Sequence, residues 1–235
     1  MADTPLRSDR RGRVGPWPEN VLALVVLTAA SAIGISAGVV TGQPVQAPNP
    51  TQQVLEDFSQ GEPDGFPQGW QASRNEAATR KAYTLHQEGA QSFLRTTGIS
   101  DQMRIFKRVA WDPKEYPIVT WRWRLRSAPS GDGPFAAVFV SLDTDLLVIP
   151  VATKYLWTAR GNVGAVQEGG LFGAAEVVVR TGSHPIGQWV EERVTAYADF
   201  LKIHNHEPAP QAWGISLVTG PGVELDFGSI TLAKQ

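Results

Sequence analysis

From Val54 to the C-terminus, apolar and polar positions alternate over short runs, and each run is closed by turn residues. The clearest run is Ile118-Val119-Thr120-Trp121-Arg122-Trp123-Arg124-Leu125-Arg126. Side chains of a strand point to opposite faces with a period of two, so Val119, Trp121, Trp123 and Leu125 share one face. Thr120, Arg122, Arg124 and Arg126 share the other. The tryptophan face is expected to be core, because two exposed indoles beside Val and Leu would form a large apolar patch. Strands are predicted at 54–58, 82–87, 91–97, 102–110, 117–126, 134–142, 145–157, 174–180, 187–193, 211–219 and 223–233. The breaks between them are rich in Gly, Pro, Asp and Ser, as at Gly61-Glu62-Pro63-Asp64-Gly65, Ser130-Gly131-Asp132-Gly133 and Gly220-Pro221-Gly222. Many short strands with little helix between them predict an antiparallel β-sandwich or jelly roll. One helix is predicted where Val194, Tyr197, Ala198 and Leu201 recur at helical spacing, with Asp199 and Lys202 facing away and Trp189 packing it onto the sandwich. Pro208 and Pro210 stop it.

The N-terminal fifth follows a different pattern. Residues 1–20 are polar and hold Arg7, Arg10, Arg11 and Arg13; residues 21–41 are uncharged and apolar without a polar face. Positive charge followed by such a run is the pattern of an export signal, and its length also suits a transmembrane helix. Small residues at Ala30-Ser31-Ala32 and Val45-Gln46-Ala47 offer cleavage points; the four arginines equally suit a retained anchor with its basic end in the cytoplasm. Both readings place the folded part outside the cytoplasm, in the periplasm or tethered to the membrane through residues 21–41. Residues 42–53 form a Pro- and Gln-rich linker, and the expected domain runs over 54–235.

Composition narrows the functions. Of 235 residues, 21 are basic and 23 acidic, giving a net charge of −2. A nucleic-acid binder would show a basic excess, so nucleic acid is excluded as a partner. Cysteine is absent, which excludes disulfides, thiolate metal sites, cysteine nucleophiles and a lipoprotein anchor. Neither a phosphate-cradling glycine loop nor the signatures G-x-S-x-G and H-E-x-x-H occur.

The chain also resembles a known family. Asp57-Phe58 with Gly69-Trp70, Trp121-Arg122-Trp123-Arg124, Tyr155-x-Trp157, Trp189-Val190-Glu191-Glu192-Arg193 with Asp199, Trp213-Gly214-Ile215-Ser216-Leu217 and Phe227-Gly228-Ser229-Ile230 follow the order and spacing of an exported bacterial domain family of unknown function, family three-zero-four-seven. The opening Asp-Phe strand and the closing Asp226-Phe227-Gly228-Ser229-Ile230 strand are similar to the first and last strands of galactose-binding-like β-sandwiches, which commonly bind glycans. Thr219-Gly220-Pro221-Gly222 replaces an acidic Asp-x-Asp run that members often carry after this strand. The resemblance implies a fold and an exported address.

Candidate chemistry follows from where the side chains fall. Arg122, Arg124 and Arg126, joined by Arg180 at the end of another strand, either form a solvated outer face paired with local acids or grip carboxylates or phosphates bidentately. Tyr155 and Trp157 either pack inward or offer faces for a sugar ring. Glu56, Asp57 and Asp226 come from the first and last strands; if those are neighbours, the acids could help hold a structural calcium ion. No other cofactor is expected. Asp143-Thr144-Asp145 reads as a turn, and His204-Asn205-His206 as surface. The expected function is non-catalytic binding of a glycan or another envelope polymer. The alternatives are a hydrolase of envelope polysaccharide and a structural or protein-interaction module.

Overall fold

A computed structural model describes residues 51–98, 101–145, 149–167 and 174–235. The basic segment, the apolar run and most of the linker lie outside the described residues. Among the described residues no helix is long and apolar enough to cross a membrane.

Thirteen strands and two short helices are described. They are β1 Gln52–Glu56, β2 Gln71–Ala72, α1 Glu76–Ala82, β3 Tyr83–Glu88, β4 Gln91–Thr96, β5 Met103–Arg108, β6 Ile118–Ser127, β7 Pro134–Asp145, β8 Ile149–Thr158, β9 Val166–Gln167, β10 Ala175–Thr181, β11 Val190–Val194, α2 Ala196–His204, β12 Gly214–Thr219 and β13 Glu224–Ala233. They form an antiparallel β-sandwich of the jelly-roll kind, as expected. One sheet has the order β11-β6-β13-β4-β3, and β1 also pairs with β13. The other has the order β2-β5-β12-β7-β8-β10-β9. Every pair is antiparallel except β8 with β10. Because β13 is long, its edge away from β6 serves two partners: β4 takes Leu225–Phe227 and β1 takes Ile230–Ala233.

The core fills the gap between the sheets. From the first sheet come Trp121, Trp123, Leu125, Leu225, Phe227, Ile230 and Leu232; from the second come Val138, Val140, Tyr155, Trp157, Ile215 and Leu217. The indoles of Trp121 and Trp123 meet edge to face at 5.5 Å. Trp121 then packs on Tyr155 at 5.7 Å and Trp123 on Trp157 at 5.4 Å, so an aromatic ladder ties the two sheets together. Phe227 and Ile230 are three positions apart, which in an unbroken strand would put them on opposite faces. A register shift between them absorbs the extra residue, and both face inward.

Three expectations need correction. The α2 helix forms, but β11 runs through Val194, so the helical phase starts later. Its buried residues are Ala196 and Phe200, Ala198 is exposed, and Asp199 turns inward. Trp189 does not pack the helix; it lies on the outside of the first sheet. Asp143-Thr144-Asp145 is strand, since β7 extends to Asp145 and pairs with β8 there.

Candidate functional site: the arginine face of the first sheet

Strict alternation along β6 sets Arg122, Arg124 and Arg126 on the outer face of the first sheet, opposite the buried indoles. The register brings Asp226 of β13 beside Arg124, and Arg95 of β4 beside Asp226. A row Arg124–Asp226–Arg95 therefore crosses three strands. The Asp226 side chain has no exposed surface. Its Oδ1 accepts from Arg95 Nε at 2.8 Å, and its Oδ2 from Arg124 Nε at 2.9 Å and Nη2 at 2.8 Å. A buried carboxylate is tolerated only when its lone pairs are filled, and two guanidiniums fill these. Arg124 also donates to Glu88 at 2.8 Å.

Aromatic rings complete the face. The Arg124 guanidinium lies 4.5 Å from the Trp189 ring centre and 5.2 Å from that of Phe93. Arg122 lies 5.2 Å from the Trp189 ring centre. Phe93 and Trp189 meet edge to face at 5.6 Å, and His86 stacks on Phe93 at 5.8 Å. Gly228 makes room for the indole. A Cβ there would stand 3.2 Å from Trp189 Cζ3 and 3.1 Å from Arg122 Cβ.

Trp189, partly exposed, lines one cleft, and Phe93, itself buried, lines a second. The first, a cavity of about 230 Å³, is lined by Trp189, Arg122, Asp57, Gln91, Ser59 and Ser92, with Gly228 and Ser229. The second, of about 460 Å³, is lined by His86, Glu88, Phe93, Arg95, Arg124 and Arg126. Among the described residues no carboxylate lies within ion-pair distance of Arg122 or Arg126. Hydrogen bonds from Ser59, side chain first, hold the Asp57 carboxyl below its ordinary value, so it is ionised at neutral pH. Burial, and then the Arg95 charge, push the His86 imidazole below its ordinary value.

The remaining candidates fall elsewhere. Tyr155 and Trp157 are core residues with no exposed surface, so neither can stack on a ligand. Their polar tips are occupied within the fold: the Tyr155 hydroxyl donates to Asp199 at 2.9 Å, and Trp157 Nε1 donates to the Gly182 carbonyl at 2.7 Å. Arg180 is separate from the arginine face. It belongs to β10 of the second sheet and donates to Glu192 at 2.5 Å, which also accepts the Trp123 indole N–H at 3.2 Å. That pair ties the sandwich edge between β10 and β11.

The expected calcium acids do not converge. β1 and β13 are neighbours, but Glu56 pairs with Ile230, four residues from Asp226. Glu56 accepts from Trp70 Nε1 and Lys107 Nζ, both at 2.8 Å, and from the Phe58 amide at 2.7 Å. Asp57 accepts from the Ser59 amide at 2.9 Å and lines the first cleft. Among the described residues no three acidic or imidazole groups gather at metal-binding spacing.

The sequence reading missed Trp189, Phe93 and Arg95 as members of this face. Two signals pointed to it. Phe93 and Leu94 are adjacent, so one of them must lie on the polar face of β4. Gly228 interrupts a β-rich run, a common mark of close backbone approach.

No family model matches the chain, and no curated protein matches it. Solved structures share the sandwich layout. A family 11 carbohydrate-binding module from Clostridium thermocellum, in complex with a β-1,3-1,4-mixed-linked tetrasaccharide, is similar at 9% identity and a TM-score of 0.46, over 78% of this chain and 96% of that one. A module described for its specific mannan recognition gives 12% identity and a TM-score of 0.39, over 78% and 98%. Endoglucanase 3 from Trichoderma harzianum, of glycoside hydrolase family 12, gives 9% and 0.43, over 78% and 97%. These are likenesses of layout; the fold assignment rests on the strand pairing itself.

Proposed function

We propose that the domain is a non-catalytic carbohydrate-binding sandwich that holds a glycan on the arginine face of its first sheet. One observation carries the reading: a partly exposed indole, Trp189, lines a small cleft together with Arg122, Asp57, Gln91 and two serines. A sugar ring is apolar on its C–H face and rich in hydroxyls at its rim. A flat aromatic wall suits the first, and a ring of charged and amide groups suits the second. The Arg122 and Arg124 charges against the indole fix its orientation, so the platform is built before the ligand arrives.

Binding fits better than hydrolysis. Glycoside hydrolysis needs two carboxyl groups about 5–10 Å apart across the scissile bond. Asp57 is the one acid among the residues lining the first cleft, and the lone pairs of Asp226 are taken by arginines. The N-terminal Arg-then-apolar segment, with the resemblance to an exported family, supports a place for this domain in the bacterial envelope, where such a module would hold a glycan or a related polymer.

The test is a glycan array probed with the full-length chain and with Trp189→Ala. The reading expects a defined set of glycans to be bound and that binding to vanish in the variant. Its fold should survive, because the indole is partly exposed and its loss costs about 1–2 kcal/mol. Binding that is unchanged in Trp189→Ala would overturn the assignment.

A further inference from the structure

We infer that the glycan is an acidic one, a carboxylate-bearing chain that runs along β6 and places one carboxylate against Arg122 and another against Arg126. This rests on the arginine face being the binding face. Of the four arginines there, Arg95 and Arg124 are spent on Asp226, with Glu88 as a further partner of Arg124. Arg122 and Arg126 have no carboxylate partner among the described residues, and each lines a different cleft. A free guanidinium beside a cavity is a bidentate receptor for a planar carboxylate.

Spacing supports a chain rather than a single sugar. Arg122 and Arg126 are four strand residues apart, about 13 Å at roughly 3.3 Å per residue. That exceeds one sugar ring and suits an oligosaccharide. Trp189, the partly exposed ring of the pair, lines the first cleft, where the C–H face of a sugar ring would lie; Phe93 is buried and packs edge to face against it. The domain as a whole argues against a general attraction to polyanions. Over 54–235 it carries 17 basic and 20 acidic groups, so it has no overall positive field to draw in a polyanion. A polyphosphate would meet no compensating field elsewhere and would leave the aromatic wall unused.

The experiment measures affinity of the full-length chain for oligogalacturonate, its methyl ester and inorganic polyphosphate, by titration calorimetry at fixed salt. The acid form should bind roughly tenfold or more tightly than the ester, since esterification removes the charge-assisted hydrogen bonds. Arg126→Gln and Arg122→Gln should each shrink that acid-to-ester ratio, and the double variant should bring it near one. Equal affinity for acid and ester overturns the inference and leaves the glycan reading standing. Polyphosphate binding as tight as that of the acid sugar overturns it too, because charge alone would then suffice. No binding of either galacturonate form, together with a silent glycan array, removes both readings.

Discussion

Arg124 is bound into the fold by a residue a hundred positions downstream. Its alternation along β6 is legible in the sequence, and so is the burial of Trp121 and Trp123 on the opposite face. Its partner is not, because only the pairing of β6 with β13 brings Asp226 beside it. The consequence is unequal behaviour of neighbouring arginines. Arg124→Ala removes one of the two cations that compensate a fully buried carboxylate, and should cost about 2–3 kcal/mol. Arg126→Ala should change stability by about 0.5 kcal/mol or less, as for an ordinary surface change. Trp123→Ala should cost about 3–5 kcal/mol, enough to unfold a marginal domain. Denaturant melts of the three variants check the order; equal effects at Arg124 and Arg126 would contradict the Asp226 bridge. Tyr155 and Trp157 illustrate the opposite limit. Strand aromatics usually face inward but can also form a platform, and their position between the sheets settles that these two are core.

Among the elements, α2 shows what periodicity can and cannot provide. The helix is legible from Val194 to Leu201, but its phase depends on where β11 ends, and that is a tertiary matter. The phase error hid Asp199, which faces the core and accepts the Tyr155 hydroxyl. Burial raises the Asp199 carboxyl above its ordinary value, against the Tyr155 hydrogen bond, which lowers it. A carboxyl raised on folding gives stability that is present below its unfolded value and is lost as pH rises through the folded one. Wild-type protein should therefore gain stability, relative to Asp199→Asn, as pH falls from neutral towards the acid range. At neutral pH Asp199→Asn should be nearly as stable as wild type, since the amide oxygen still accepts. Asp199→Ala should cost about 1–3 kcal/mol by leaving the buried hydroxyl unpaired. Thermal melts across pH would show it; identical profiles for wild type and Asp199→Asn would contradict the assignment. The α1 helix was missed for another reason: seven residues that begin at Glu76, after an Asn75 that makes no side-chain cap, leave almost no signal. The two-residue strands β2 and β9 leave none at all. At β13 the isolated Gly228 is the legible trace of the register shift. Gly228→Ala should push Trp189 off the sheet and weaken ligand binding while the core stays folded, which binding assays paired with circular dichroism would register.

At the scale of the molecule, the strand count, the turn spacing and the absence of cysteine already imply a sandwich that needs no staples. What the sequence could not show is which outer surface is equipped. Two sheets give two outer faces, and the residues of the arginine face come from β3, β4, β6 and β13 and from the segments preceding β2 and β11, scattered from Asp57 to Ser229. Only the assembled sheet brings them together, which is why Arg180, plausible by composition, falls on the other sheet and Arg95 falls on this one. The most direct test of a glycan site on this face is a thermal-shift titration of the full-length chain with the best glycan from the array, run beside Trp189→Ala. A ligand that binds only the folded state raises its stability by RT ln(1 + [L]/Kd), about 2.7 kcal/mol at a hundredfold excess over Kd. Wild type should therefore show a saturable rise in melting temperature, and Trp189→Ala should show none at the same concentrations. Equal shifts in both proteins would contradict the site.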